Sequence, residues 1–199
     1  ECKCEAYRYG HQYYDFSDGT LLCLTPGESI SMKDSDNTRP SKGWILAFHP
    51  DLICGTALGA NIRDYTFFSY RPEEALHVSL REKQVILELL DKINQELQRC
   101  IDCYSQKIIS KYIELLLDYC ERFYERQFIT RNEANKKIIE RFDRLLDDHF
   151  NTIQSQSSDL PTIEEGVRVL RLSPAYFNDL LEYETGKSYK EYLQSKRFE

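Results

Sequence analysis

The chain has 199 residues, a net charge of −7 and 41% hydrophobic residues, with a pI near 5.3, which suits one or two domains of a globular protein. No apolar run approaches the ~20 residues a membrane span needs, and no signal-peptide pattern opens the chain. Membrane and secreted classes are therefore excluded and a cytoplasmic protein is expected. The first residue is Glu1 rather than Met, which reads as a trimmed chain.

Seven cysteines stand at 2, 4, 23, 54, 100, 103 and 120. An odd, scattered set fits reduced thiols better than a disulfide framework. Cys100-x-x-Cys103 is half of a zinc site, but a structural site needs a second pair, and Cys2-x-Cys4 has an unusual spacing. Both Cys100 and Cys103 are expected to pack at helix ends, and no metal is expected. The four histidines (11, 49, 77, 149) lie far apart in sequence. Without a Gly-rich phosphate loop, a nucleophile elbow or HExxH, the expectation is no enzyme, no catalytic residue and no cofactor.

From the front, residues 1–70 read as strands and turns. Glu5–Phe16 sets Tyr7, Tyr9, Tyr13, Tyr14 and Phe16 among polar residues in rough alternation. Ser17-Asp18-Gly19 and Pro26-Gly27 are turns flanking a short strand, Thr20–Leu24. GWILAF at 43–48 is an apolar run of buried-strand length, closed by His49-Pro50. Such strands predict a small barrel or sandwich.

A helical section follows. Ser79 with Glu82 forms a capping box ahead of Val85, Ile86, Leu89, Leu90, Ile93 and Leu97. After a break near 102–105 a second helix carries Ile108, Ile109, Tyr112, Ile113, Leu116, Cys120, Phe123, Tyr124 and Phe128, giving an antiparallel pair. Residues 115–117 are all apolar, so this helix is covered on more than one side: by the barrel and its partner helix, or by a second copy of the chain. Thr130 with Glu133 predicts a cap for a helix reaching about Phe150. Asn151–Ser158 is polar and low in complexity, the best linker in the chain.

The last forty residues are the most specific. Thr162 with Glu165 makes a capping box, Ser173 caps a second helix with Pro174 at its first position, and Gly186 ends it. Ile163, Val167, Leu170, Leu172, Phe177, Leu180 and Leu181 allow crosswise packing. This is the layout of a helix-turn-helix, although small helical hairpins share it. A third helix opens at Ser188 with Glu191.

The run LxLSPAYFNDLLEYETGKSYKEYL closely resembles the first helix-turn-helix of AraC-type bacterial transcription regulators, through Leu172, Ser173, Pro174, Tyr176, Phe177, Leu180, Leu181, Glu184, Thr185, Gly186, Lys187 and Ser188. YCERFYERQFITR at 119–131 is similar to the segment before the linker in such regulators, and YYDFSDGTLLCLTPGE with GWILAFHPDLI looks like the later strands of their cupin-like barrel. Two departures stand out. Gly166-Val167 occupies the site of a large apolar residue followed by Ala, and Gly costs roughly 0.5–1 kcal/mol in a helix interior. Asp179 sits where a groove-facing residue belongs.

The resemblance implies an α+β fold: a partial cupin-like effector-binding barrel (1–75), a helical pair that can dimerise (76–129), a connecting helix and linker (130–158), and a first helix-turn-helix unit (159–199). In the family a bridging helix and a second such unit follow, so the chain reads as stopping inside that bridging helix. The implied partners are double-stranded DNA for the intact protein, a small-molecule effector bound at residues the sequence does not identify, and a second copy of the chain. Ala175, Asn178 and Asp179 are the groove-facing candidates. Ser173, Tyr176 and Lys187 are candidates for phosphate contact, Tyr176 being alternatively a core residue. Residues 159–199 hold six Lys/Arg against eight Asp/Glu, a poor balance for a ligand whose phosphates dominate affinity. The rival reading is an oligomerisation or protein-interaction module with a cupin-like sensor domain.

Overall fold

The computed structural model describes residues 13, 15–28, 43–153 and 162–197. Among these, strand is confined to β1 (Gly19–Leu21) and β2 (Leu76–Val78), which pair antiparallel with Thr20 opposite His77. Helix dominates the remainder, so the expected partial cupin-like barrel is corrected: the described residues build a helical protein with one two-stranded ribbon. The outer edge of β2 shows why the sheet stops. Gln127 Nε2 donates to the Ala75 carbonyl (3.1 Å), the His77 N–H donates to Gln127 Oε1 (2.8 Å), and Arg126 Nη2 donates to the His77 carbonyl (2.7 Å). Buried backbone groups must be paired. Here side chains of a helix pair them, and no edge is left for a third strand on that side.

GWILAF is not a strand. Trp44 and Ile45 are 62% and 92% exposed, while Leu46 and Phe48 rest on the core. The strand expected over Thr20–Leu24 ends at Leu21, and that over Glu5–Phe16 lies largely outside the described residues. His49 ends no strand; its Nδ1 accepts from the Asp51 N–H (3.3 Å) and caps α1 (Pro50–Ile53). A second short helix, α2 (Ala57–Asn61), and three 3₁₀ turns, Ile62–Asp64, Thr66–Ser69 and Pro72–Glu74, lead into β2. The described residues therefore form no barrel interior of the kind in which the effector was expected.

The helical pair forms as the periodicity requires. Ser79 and Glu82 close the capping box of α3 (Leu80–Leu97), which buries Ile86, Leu89 and Ile93. It packs on α4 (Ser105–Thr130). An ion pair of Glu82, in the first turn of α3, with Arg126, near the end of α4, fixes their antiparallel sense. The wide apolar face of α4 is covered on several sides within the chain, by α3, α1, α2, β2 and α7 (Pro174–Thr185). Cys100 and Cys103 lie exposed in the connection between α3 and α4 rather than packed at helix ends.

Thr130 does not cap the next helix. It is still helical, its hydroxyl donates to the Gln127 carbonyl (3.0 Å), and the break falls at Arg131, before α5 (Asn132–Ile153). A cap residue needs extended backbone, which the uninterrupted end of α4 denies it. α5 runs three residues into the expected linker; residues 154–161 lie outside the description.

The rest is α6 (Ile163–Leu170), α7 and α8 (Tyr189–Arg197). Two cores result. The first holds α3, α4, the 3₁₀ turns and β2, and also Tyr176 and Leu180 of α7. The second comprises Phe142, Leu146, Val167, Phe177, Leu181, Tyr192 and Leu193. The connecting helix α5 thus supplies the floor of the helix-turn-helix unit. Gly166 belongs to this arrangement, since a Cβ there would lie 2.9 Å from the fully buried Phe142 ring.

Candidate nucleic-acid interface

The two-helix motif is built as its caps dictate. Thr162 accepts from the Glu165 N–H, and the Glu165 carboxylate accepts from the Thr162 N–H (2.9 Å). The turn from α6 to α7 places Arg171 in the left-handed region at φ 59°, a conformation that costs a non-glycine residue roughly 1–2 kcal/mol. Ser173 Oγ accepts from the Tyr176 N–H (3.2 Å), Pro174 opens α7, and Gly186 closes it at φ 69°. The Glu191 carboxylate accepts from the Ser188 N–H (2.9 Å) and hydroxyl (2.7 Å), starting α8.

The N-terminal half of α7 faces the body of the protein. Ser173 is buried, and both its N–H (2.6 Å) and its hydroxyl (2.5 Å) donate to the Glu74 carboxylate. Ala175 is half-buried against the first core. Tyr176 is 2% exposed, its ring edge-on to Tyr70, and its hydroxyl accepts from Arg131 Nη1 at 3.5 Å. Asn178 Oδ1 accepts from the Tyr189 N–H (3.1 Å) and so caps α8. Asp179 accepts from the Tyr70 hydroxyl (2.6 Å). Lys187 is exposed. Five of the six expected DNA contacts are therefore engaged inside the protein, and Lys187 alone of the six stands open.

Four anchors of this docking went unread in the sequence: Tyr70, Glu74, Arg131 and Glu184. Glu184 accepts from Asn135 Nδ2 (3.2 Å) and Asn132 Nδ2 (3.4 Å). Arg131 forks onto Asp15, with Nε and Nη2 donating at 3.0 and 2.5 Å. One signal was available. Tyr176-Phe177 and Leu180-Leu181 are paired apolar steps four residues apart, which put two adjacent apolar stripes on one short helix. Tyr176 and Leu180 enter the first core, and Phe177 and Leu181 the second. Burying two large side chains contributes roughly 1.5–3 kcal/mol each, so the Tyr176–Leu180 stripe holds α7 in place more strongly than any single hydrogen bond.

Charge around the docked helix is negative. A cleft of about 360 Å³ between α4, the Thr66–Ser69 turn and α7 is lined by Asp64, Glu121, Glu125, Asp179 and Glu182 beside Tyr70 and Tyr124. Burial, then the neighbouring carboxylates led by Glu125, push the Glu121 carboxyl up. Burial also raises Glu74, against the lowering effect of its Ser173 and Arg71 hydrogen bonds. Burial and the Asp179 charge raise Tyr70, so its hydroxyl keeps its proton and remains a donor. These carboxylates give the cleft beside α7 a negative lining.

Among the described residues no group of three or more His, Cys, Asp or Glu side chains could hold a metal ion, and no helix is long and apolar enough to cross a membrane. No protein-family model, curated protein or solved structure matches the chain.

Proposed function

We propose that the protein is a DNA-binding transcription regulator of the AraC type, with α6 and α7 as a base-reading unit. One observation carries this reading: the residues of the LSPAYFNDLLEYETGKS run perform the separate local tasks a helix-turn-helix demands. Ser173 caps, Pro174 opens, Phe177 and Leu181 seat the helix on α5 and α6, and Gly186 turns the chain out. Such a combination in one register supports the reader reading over a generic hairpin.

Asn178 is the key base contact, able to pair bidentately with adenine; Ala175 and Asp179 flank it, and Lys187 meets phosphate. At physiological salt the chain shows no operator-specific binding, because residues 159–199 are net acidic and phosphate neutralisation supplies most of the affinity. Sub-micromolar affinity for a defined operator under those conditions would overturn that expectation. At low salt, selection from a randomised duplex pool should enrich one sequence, and Asn178→Ala should relax preference at one base pair, costing about 1–3 kcal/mol. An equal loss on every sequence means that Asn178 touches backbone only.

A second reading has its own observation. The face of α7 that would read DNA is committed to protein contacts and ringed by carboxylates, which favours an interaction module using α7 as a structural prop. Salt separates the two: a reader loses affinity steeply as salt rises, and a prop shows no sequence selection at any salt.

A further inference from the structure

Two of the three groove-facing candidates, Ala175 and Asp179, lie against the body, while Asn178 beside them caps α8. Asp179 accepts from Tyr70, and Ser173, one position before the helix, gives both of its donors to Glu74. Tyr176 lies under Tyr70 and Phe128. A helix cannot make these contacts and lie in a major groove at once, since both use the same first two turns.

The contacts also connect to the rest of the chain. Arg131, at the break between α4 and α5, forks onto Asp15 from the N-terminal segment and reaches Tyr176 with its remaining nitrogen. The second core joins α5 to α6, α7 and α8 through Phe142, Phe177, Leu181 and Tyr192, none of them buried in the first, and shares with it the half-buried Ile138, Ile139 and Leu172. Undocking of α7 therefore uncovers Tyr176 and Leu180 without opening the core that keeps the motif folded, and the chain break at Arg131 is the natural pivot.

We propose that the docked arrangement is a latent state: Tyr70, Glu74 and Arg131 mask the base-reading face of α7, and the reader works only when these contacts release. The proposal rests on the DNA-reading function above. It assigns Tyr70 and Glu74 a regulatory role on the body side, and makes the contact between body and α7 the switch between a silent and a DNA-competent form.

The test uses the full chain. Tyr70→Phe removes the donor to Asp179 and keeps the ring; Glu74→Ala removes the acceptor of both Ser173 donors; Tyr70→Glu sets a carboxylate against Asp179. Hydroxyl-radical labelling of the Tyr176 and Leu180 side chains, read by mass spectrometry, should rise at least tenfold in one or more of these variants, because undocking uncovers them. Amide hydrogen exchange over α4 and α7 should stay unchanged, which separates undocking from unfolding. A variant so opened should bind the sequence it selects from a random duplex pool at low salt at least tenfold more tightly than the wild type does. Asn178→Ala in the opened variant should abolish that gain. Three results overturn the proposal. If all three variants leave Tyr176 and Leu180 as protected from labelling as before, these contacts are not what holds α7. If wild type and opened variant select the same sequence with equal affinity through Asn178, masking fails and the DNA-reading function survives. If an opened variant selects no sequence, the DNA-reading function fails and takes the masking with it.

Discussion

Glu74 is a buried carboxylate whose three neighbours, the Arg71 N–H and both donors of Ser173, are all hydrogen-bond donors. Burial still outweighs them and holds its pKa above the ordinary carboxylate value. For a group raised in the folded state, the stability contribution is complete below the unfolded pKa and is lost as pH rises through the folded pKa. Glu74→Gln is neutral throughout and lacks this dependence. Urea unfolding from about pH 4 to pH 8 should therefore show the wild type losing stability relative to Glu74→Gln as pH rises; a constant difference would mean that Glu74 does not titrate in this range. Gly166 presents the opposite kind of residue, one whose value is its lack of a side chain. Ala should gain about 1 kcal/mol of helix propensity, but its Cβ would sit 2.9 Å from Phe142, a buried ring itself packed at 4.8 Å on Phe177. Overpacking costs about 1–3 kcal/mol, so Gly166→Ala should destabilise. An increase in the urea midpoint would show that Phe142 can step aside. The residue that reads as a weakness in α6 is the condition for α5 to lie against it.

Elements in this protein are decided by what covers them. α3 was legible: its capping box and one apolar stripe predict a helix, and one packed face is what it has. α4 was legible as a helix, and its apolar positions 115–117 left two covers open; the structure covers Leu116 and Leu117 and leaves Leu115 at the surface. GWILAF was not legible, because an apolar run of strand length becomes a strand only when another strand takes its backbone groups. Here the open edge of β2 is closed by the Gln127 amide and the Arg126 guanidinium. Gln127→Ala should therefore orphan the Ala75 carbonyl and the His77 N–H, each left unpaired at about 1–3 kcal/mol. Denaturant unfolding measures this, and a loss under 1 kcal/mol would mean that water replaces the amide. α7 carries two stripes, and its local caps say nothing of which neighbour takes each one.

At the scale of the molecule, α7 is the joint between the two cores, giving Tyr176 and Leu180 to one and Phe177 and Leu181 to the other. The α3–α4 hairpin leaves Leu97, Ile101, Tyr104, Ile108 and Leu115 exposed, and the dimer expected from the sequence would be isologous. Light scattering at tens of micromolar should give twice the mass of one chain, and a monomer mass would reject this pairing. Ser173→Ala belongs to the same scale, because Ser173 is both the cap of α7 and a partner of Glu74. Losing a cap alone costs about 1 kcal/mol; a further loss that disappears when Glu74 is also changed, read by a double-mutant cycle, would measure the coupling between α7 and the body.

By itself the sequence determined whatever depends on neighbours within a few residues: the capping boxes at Ser79 and Thr162, the Ser188–Glu191 contact that starts α8, the Pro174 start and Gly186 end of α7, the periodicity of α3 and α4, and the motif that suggests a DNA reader. Local hydrogen bonds and helical spacing involve only four or five consecutive positions, and these are written in the chain. Tertiary structure alone decided that the ribbon stops at two strands among the described residues, that α7 belongs to two cores, and that Ser173, Tyr176 and Asp179 point inward. Those outcomes depend on partners 50 to 116 positions away, such as Gln127 for His77, Glu74 for Ser173, Tyr70 for Asp179 and Asp15 for Arg131. No local pattern announces which distant donor will meet which acceptor. The motif thus suggests a role for α7, and the packing shows that Ser173, Tyr176 and Asp179 are turned to the body.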